Sequence, residues 1–282
     1  KGAKGTLEFL NARGQVVWTF RTDAEGRGEK LEVKAGVNRL TWNLRHADAE
    51  GFPGLVLWAG GLTGPRVSPG SYTARLKVGG QEQTTSFEVK PDPRASAATS
   101  DYDAQEKFLL TARDKLSEAH KAIKTIRDVR DQMSAITKRL SGDHNKEVRD
   151  AAEALGKKLT AVEEALYQTK AKSSQDVLNF PIRLNNRLAA LAGTVGAGDN
   201  RPTDAAVQLD KELTEQIDAE LARLRKALGE DLPRFNDLLR GKNVPGVFRE
   251  AGPDKKADPA PAPGQERLTG VPSTPPPVRK DG

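Results

Sequence analysis

DYDAQEKFLLTARDKLSEAHKAIKTIRDVRDQMSAITKRL, residues 101–140, lies in the longest stretch of this chain without glycine or proline. Leu109, Ala112, Leu116, Ala119, Ile123, Ile126, Met133 and Leu140 recur on three- and four-residue steps, with a drift in register at Val129 and Ile136. That spacing predicts an amphipathic helix whose buried stripe slowly precesses. At about 1.5 Å per residue it would be about 60 Å long. A helix of that length cannot bury its own stripe, so the segments after it must supply partners. Ser100 or Asp101 is placed to cap its first free N–H groups.

Those partners are legible downstream. Ser141-Gly142-Asp143 breaks the first helix, and a second is expected to run to about Ala171. Its Val148, Ala152, Leu155, Leu159, Val162 and Leu166 form the most regular heptad stripe in the chain. A third helix is expected over Val177–Val195, with Leu184, Leu188 and Leu191 on one side and Pro181 near its start, where a missing N–H costs little. Asn185 and Asn186 interrupt that helix as polar residues able to satisfy backbone or fix register. Thr203 caps a fourth helix carrying Leu213, Ile217, Leu221, Leu224 and Leu228, and a short fifth begins near Asp231-Leu232-Pro233. Short connections favour antiparallel neighbours, so residues 101–250 read as an antiparallel helical bundle. From residue 251 onward Pro, Gly, Ala and charge dominate, and 251–282 reads as a Pro-rich extended tail.

Ahead of the long helix the period changes. Leu7, Phe9 and Val16–Phe20 flank Asn11-Ala12-Arg13-Gly14, which suits a hairpin. Leu31–Val33 and Arg39–Leu44 are further expected strands, the second with Leu40, Trp42 and Leu44 on one face. Pro69-Gly70 turns into Ser71–Val78, whose Tyr72, Ala74, Leu76 and Val78 alternate inward, and Gly79-Gly80 leads to Thr84–Val89. Residues 1–92 therefore read as an antiparallel immunoglobulin-like β-sandwich, joined by a linker at 93–100 to the helices. The fold class expected is multi-domain α and β. The insertion Asp48–Val67 is long for a sandwich loop, and long loops of this kind are commonly functional or interfacial.

The chain has 282 residues, a formal charge of +6 and a pI of about 9.4. The positive charge raises nucleic acid or an anionic surface as partners. Acids and bases are interleaved, however, which reads as solvated surface. Lys121, Lys124, Arg127 and Arg130 recur every third residue but drift around the helix by about 60° per step, and Asp128 and Asp131 interrupt them. Cysteine is absent, which excludes disulfides, a thiolate nucleophile and a cysteine metal site. No apolar run reaches the about 20 residues that span a bilayer. The opening at Lys1, without Met, is read as a processed or truncated end.

No catalytic constellation emerges. His46, His120 and His144 lack metal-ligand spacing and read as exposed. No nucleophile elbow, phosphate loop or dinucleotide fingerprint is present, so no cofactor is expected. Glu163-Glu164 with Asp199 could be paired as acids for glycoside hydrolysis, but helix-surface charge is the plainer reading. The three tryptophans all precede the helices. Trp42 reads as core, and Trp58 as either a lid on the sandwich or an exposed anchor. Trp58, Phe52 and Arg45 are the candidate binding residues.

Two stretches carry a resemblance. Gly36-Val-Asn-Arg-Leu-Thr-Trp-Asn-Leu-Arg45, Phe52-Pro-Gly54, Gly64-Pro65, Pro69-Gly-Ser-Tyr-Thr73 and Asp92-Pro-Arg94 form the first. Asn179-Phe-Pro-Ile-Arg-Leu-Asn-Asn-Arg-Leu-Ala-Ala-Leu191, with Gly198-Asp199 and Arg201-Pro-Thr203, forms the second. In this order they resemble the C-terminal immunoglobulin-like and helical regions of bacterial proteins with sortilin-like (BNR-repeat) propellers, often labelled glycosyl hydrolases. Trp42-Asn43 departs from the Trp-Asp usual in that family. The resemblance implies an exported, extracytoplasmic protein. It implies a non-catalytic scaffold or interaction module, docking onto a larger assembly or its own propeller. The alternative is an accessory carbohydrate-binding region, with Trp58 or Trp42 stacking on a sugar ring. It supplies no catalytic residue.

Overall fold

A computed structural model describes residues 4–25, 29–140, 142 and 145–248. The expected tail at 251–282 and His144 lie outside these residues. Within them the chain is mixed α and β, with a four-stranded antiparallel sheet followed by helices. The strands are β1 (Gly5–Asn11), β2 (Val16–Arg21), β3 (Gly70–Val78) and β4 (Gln81–Val89), in the order β2-β1-β3-β4. Asn11 closes the first hairpin by accepting the N–H groups of Arg13 and Gln15 on its side chain. Gly79 and Gly80 both take positive φ, which only a residue without Cβ adopts at low cost, and so make the tight turn into β4.

The pleat sorts the sheet's two faces. Thr6, Glu8, Thr73, Arg75 and Lys77 share one, where Arg75 pairs with Glu8 at 2.8 Å. Phe9, Trp18, Phe20, Tyr72 and Phe87 share the other. What covers that apolar face is coil. Arg39–Leu44, expected as a strand, has no ladder, and neither does Leu31–Val33 beyond the bridge at Lys30. The cause is local. The Asn38 side chain bonds Lys34 N–H and the carbonyls of Lys34 and Gly36, Asn43 accepts Arg45 N–H, and Leu44 takes φ 58°. Asparagine side chains thus satisfy the backbone in place of a partner strand. Trp42 lies flat on Phe9, centroids 4.4 Å apart and rings 11° from parallel. The cover is partial: Tyr72 is buried, but Leu76 on the same face is 39% exposed.

Helix α1 (Thr99–Arg139) buries Leu109, Ala112, Leu116, Ala119, Ile123, Ile126, Val129 and Met133, so the stripe holds through the drift at Val129. Its N-cap is Ala98 rather than Ser100 or Asp101. Asp101 sits one turn in, where its carboxylate accepts Ala98 N–H and pairs with Arg201. Helix α2 (Lys146–Leu166) stops short of Ala171, because Tyr167 is extended and turns its ring inward. The expected third helix is split. A short 3-10 turn (Ser174–Leu178) precedes Phe180-Pro181, and α3 runs only from Leu184 to Val195. Pro181 ends one element instead of opening the other, since it has no N–H to donate.

Thr203 caps α4 (Asp204–Lys226), accepting Ala206 N–H. The expected fourth and fifth helices are continuous: a π turn at Ala227–Asp231 leads directly into α5 (Leu232–Gly241). Leu232 N–H reaches back to the Ala227 carbonyl, a five-residue step that takes up the register lost where Pro233 cannot donate. The stripes of all the α-helices meet in one apolar core.

Candidate interaction site

The core of the helices contains residues from outside them. Ala49, Phe52, Leu55 and Leu62, all from the connection between β2 and β3, are buried among the stripes of α1, α2 and α3. Residues 45–68 have no regular secondary structure, so their backbone groups need other partners. Helix side chains provide them. Arg113 donates to the Ala47 carbonyl, Ser117 accepts Glu50 N–H, His120 bonds the Glu50 carbonyl, and Arg127 donates to the Pro53 carbonyl.

The spacing explains the fit. Positions 113, 117, 120 and 127 fall on one face of α1. Six extended residues from 47 to 53 span about 20 Å, and fourteen helical residues from 113 to 127 span about 21 Å. The segment therefore runs alongside the helix in step with it. Beyond Pro53, the Tyr167 hydroxyl donates to the Gly54 carbonyl and accepts Val56 N–H. Asn186 then takes over. Its Oδ1 accepts Trp58 N–H at 2.8 Å and its Nδ2 donates to the Ala59 carbonyl at 2.7 Å. Gly60 permits this closeness: with φ +72, it presses on α3 so tightly that a Cβ would lie 2.1 Å from the Ala189 carbonyl oxygen.

The three candidate residues are placed on this segment in three different settings. Phe52 is 3% exposed, edge-on to His120 and Tyr167 and under the Arg127 guanidinium at 4.7 Å. It is a core residue and not a surface contact, because the apolar pocket between α1 and α2 claims its ring. Arg45 is half-buried at the start of the segment, donating to the Gly64 carbonyl. Trp58 is 51% exposed. It stands over a shallow apolar depression edged by Val177, Phe180 and Ile182. Trp42 is partly buried in the small core of the sheet, its Nε1 bonded to the Arg45 carbonyl.

The titratable groups expected at the surface are drawn inward. His120 is fully buried on the α1 stripe between Leu116 and Ile123. Its Nδ1 bonds the Glu50 carbonyl and its Nε2 faces the Asn185 amide, an arrangement that suits the neutral ring. Burial pushes its pKa down to about 4 against the opposing bond to Glu50. His46 is also buried, against Glu106, whose other oxygen accepts Ser68 N–H. Burial raises the Glu106 pKa, but the bonds from His46 and Ser68 outweigh it and the net shift is downward.

Glu163 is 2% exposed rather than a surface charge, held by Arg127 at 2.7 Å and by Arg130. Two arginines of the supposed basic stripe are thus consumed within the molecule. Asp199 faces Arg66 instead and forms no pair with Glu163. Among the described residues no cluster of three or more His, Asp or Glu could hold a metal, and no helix is long and apolar enough to cross a membrane.

The site offers a large, half-exposed aromatic ring on a clamped backbone, a feature suited to a binding anchor. Compared with protein-family models, with curated proteins and with solved structures, the chain shows no significant match to any of them.

Proposed function

We propose that this chain is a non-catalytic interaction module that docks onto a larger assembly through Trp58. One observation carries the reading: a half-exposed indole whose flanking peptides are fixed by both ends of the Asn186 amide. An exposed tryptophan on a mobile loop loses entropy when it binds, whereas one on a rigid backbone has already lost it.

The finer architecture belongs to the same proposal. The sheet and its coil cover act as a reduced immunoglobulin-like sandwich over 1–92, joined through 93–100 to an antiparallel bundle over 101–250. The resemblance to sortilin-like propeller proteins supports an exported scaffold as the parent context. Carbohydrate stacking would use the same Trp58, since one face of Trp42 lies against Phe9.

A photoreactive phenylalanine analogue at position 58, with position 207 on α4 as an exposed control, tests the proposal in extract of the source cells. The expected result is a discrete protein adduct at 58 only, suppressed by excess wild-type chain but not by Trp58→Ala chain. Equal labelling at both positions, or none, would overturn it. Glycan-array binding that disappears on Trp58→Ala would assign the site to carbohydrate instead.

A further inference from the structure

A second feature lies where the two ends of the segment meet, at the Arg45–Arg66 bridge. Between the turn at 60–69, the end of β4, α1 and α3 is a cleft of about 470 Å³, within the range of small-molecule sites. Leu109, Leu116, Leu188 and Ala192 are among its apolar lining, and its charged lining is Arg45, Arg66, Lys90 and Arg113 against Asp92 and Asp199.

Arg45 and Arg66 face each other across a short antiparallel bridge, which projects opposite residues to the same side. Neither charge is well compensated. Among the described residues Arg45 has the Gly64 carbonyl as its hydrogen-bond partner and no carboxylate within ion-pair distance. Arg66 meets Asp199 only at 3.6 Å. Burial, and then the neighbouring Arg66, hold the Arg45 pKa below its usual value against the pull of Asp48. Tyr102, which also lines the cleft, carries a hydroxyl withdrawn from solvent and without a protein partner. Ser68, also on the lining, is 6% exposed and is bonded to Glu106. An unpaired buried hydroxyl such as that of Tyr102 is uncommon, and this one lines the same cleft as the two arginines.

We propose that this cleft binds a small amphipathic organic anion. Its carboxylate or phosphate head is received by Arg45 and Arg66, and its aliphatic body lies on Leu109, Leu116, Leu188 and Ala192. Guanidinium forks recognise both heads through paired N–H donors. An anion also relieves the repulsion between the two arginines, which a neutral or cationic ligand of the same shape cannot do. This proposal is independent of Trp58.

The test is isothermal titration of the full chain with sodium octanoate and with octyl phosphate, below their critical micelle concentrations. Octylammonium chloride and sodium acetate are the controls. The expected result is saturable one-to-one binding of at least one octyl anion, none of octylammonium, and acetate weaker by tenfold or more. The preference between the two anions distinguishes a carboxylate from a phosphate ligand. Arg66→Gln, at an exposed side chain where the fold is not at stake, should weaken binding about fivefold or more. Trp58→Ala should leave it unchanged. Octylammonium binding as tightly as the anions, no saturable binding of either anion, or an Arg66→Gln variant with wild-type affinity would each overturn the proposal.

Discussion

Trp42 and Phe52 sit ten residues apart on the same long connection, yet different physics holds them. Trp42 is fixed by contact between rings: flat on Phe9 and edge-on to Tyr72 and Phe87, in a small core that leaves Leu76 exposed. The backbone on either side is held by its own asparagines. Phe52 is fixed by the backbone around it, which is bonded from Ala47 to Ala59 by side chains of α1, α3 and Tyr167. A segment without secondary structure can thus be as well satisfied as a strand when a helix face supplies the partners. The helical region with its inserted segment should then be the stable unit, and the sheet the softer one.

The largest expected contrast comes from cavity formation. Leu159→Ala, at a side chain with no exposure, should cost about 3–4 kcal/mol, read as a lower urea midpoint. Leu76→Ala in the sheet should cost about 1 kcal/mol or less. Equal losses would erase the distinction between the regions.

Glu163→Gln should follow, at about 3 kcal/mol, because it removes the charge that Arg127 and Arg130 share. A triple variant that also replaces both arginines should lose less than the sum of its parts.

The pH dependence sharpens the comparison further. Neutral His120 is favoured in the folded state, where its pKa is about 4 against 6.5 unfolded. Between those values the unfolded chain binds the extra proton, so stability rises with pH across the window and is lost as pH falls through it. Between pH 7 and pH 5 the wild type should lose about 2 kcal/mol from this group. His120→Gln should be less stable at pH 7 and show a flatter profile. An unchanged slope would remove His120 from the account.

The clamp contributes less than Leu159, Glu163 or His120. Asn186→Ala leaves Trp58 N–H and the Ala59 carbonyl without partners and should cost about 1–2 kcal/mol. Its clearer readout is the indole: a fluorescence anisotropy decay on a Trp58-only background, with Trp18 and Trp42 changed to Phe, should gain a fast component.

The helices were readable because their stripes are long and regular, and the clean strands because Asn11–Gly14 and Gly79-Gly80 mark their turns. Arg39–Leu44 misled because alternation describes which face a residue takes, not whether a neighbouring strand exists. His120 and Glu163 did leave a signal. Each is a polar residue on its apolar stripe, at 116-120-123 and 159-163-166, and a charge-capable residue there is buried before it is exposed. Asn185-Asn186 was the other clue, since a polar pair on a buried helix face needs something to bond. What it bonds could not be read. The side chains that bond the backbone of residues 47–59 come from 66 to 128 positions away, and no local period records them. The Arg45–Arg66 cleft is not legible for the same reason: its two arginines meet across 21 positions of coil.

The most direct test is amide hydrogen exchange of residues 45–68, followed by NMR under native conditions. The N–H groups of Glu50, Val56 and Trp58 bond the side chains of Ser117, Tyr167 and Asn186 rather than any backbone carbonyl. If the segment is a structural part of the helical core, these three should exchange as slowly as Ile123 in the middle of α1. Exchange at the rate of an unprotected loop would contradict it, and with it the rigid presentation of Trp58.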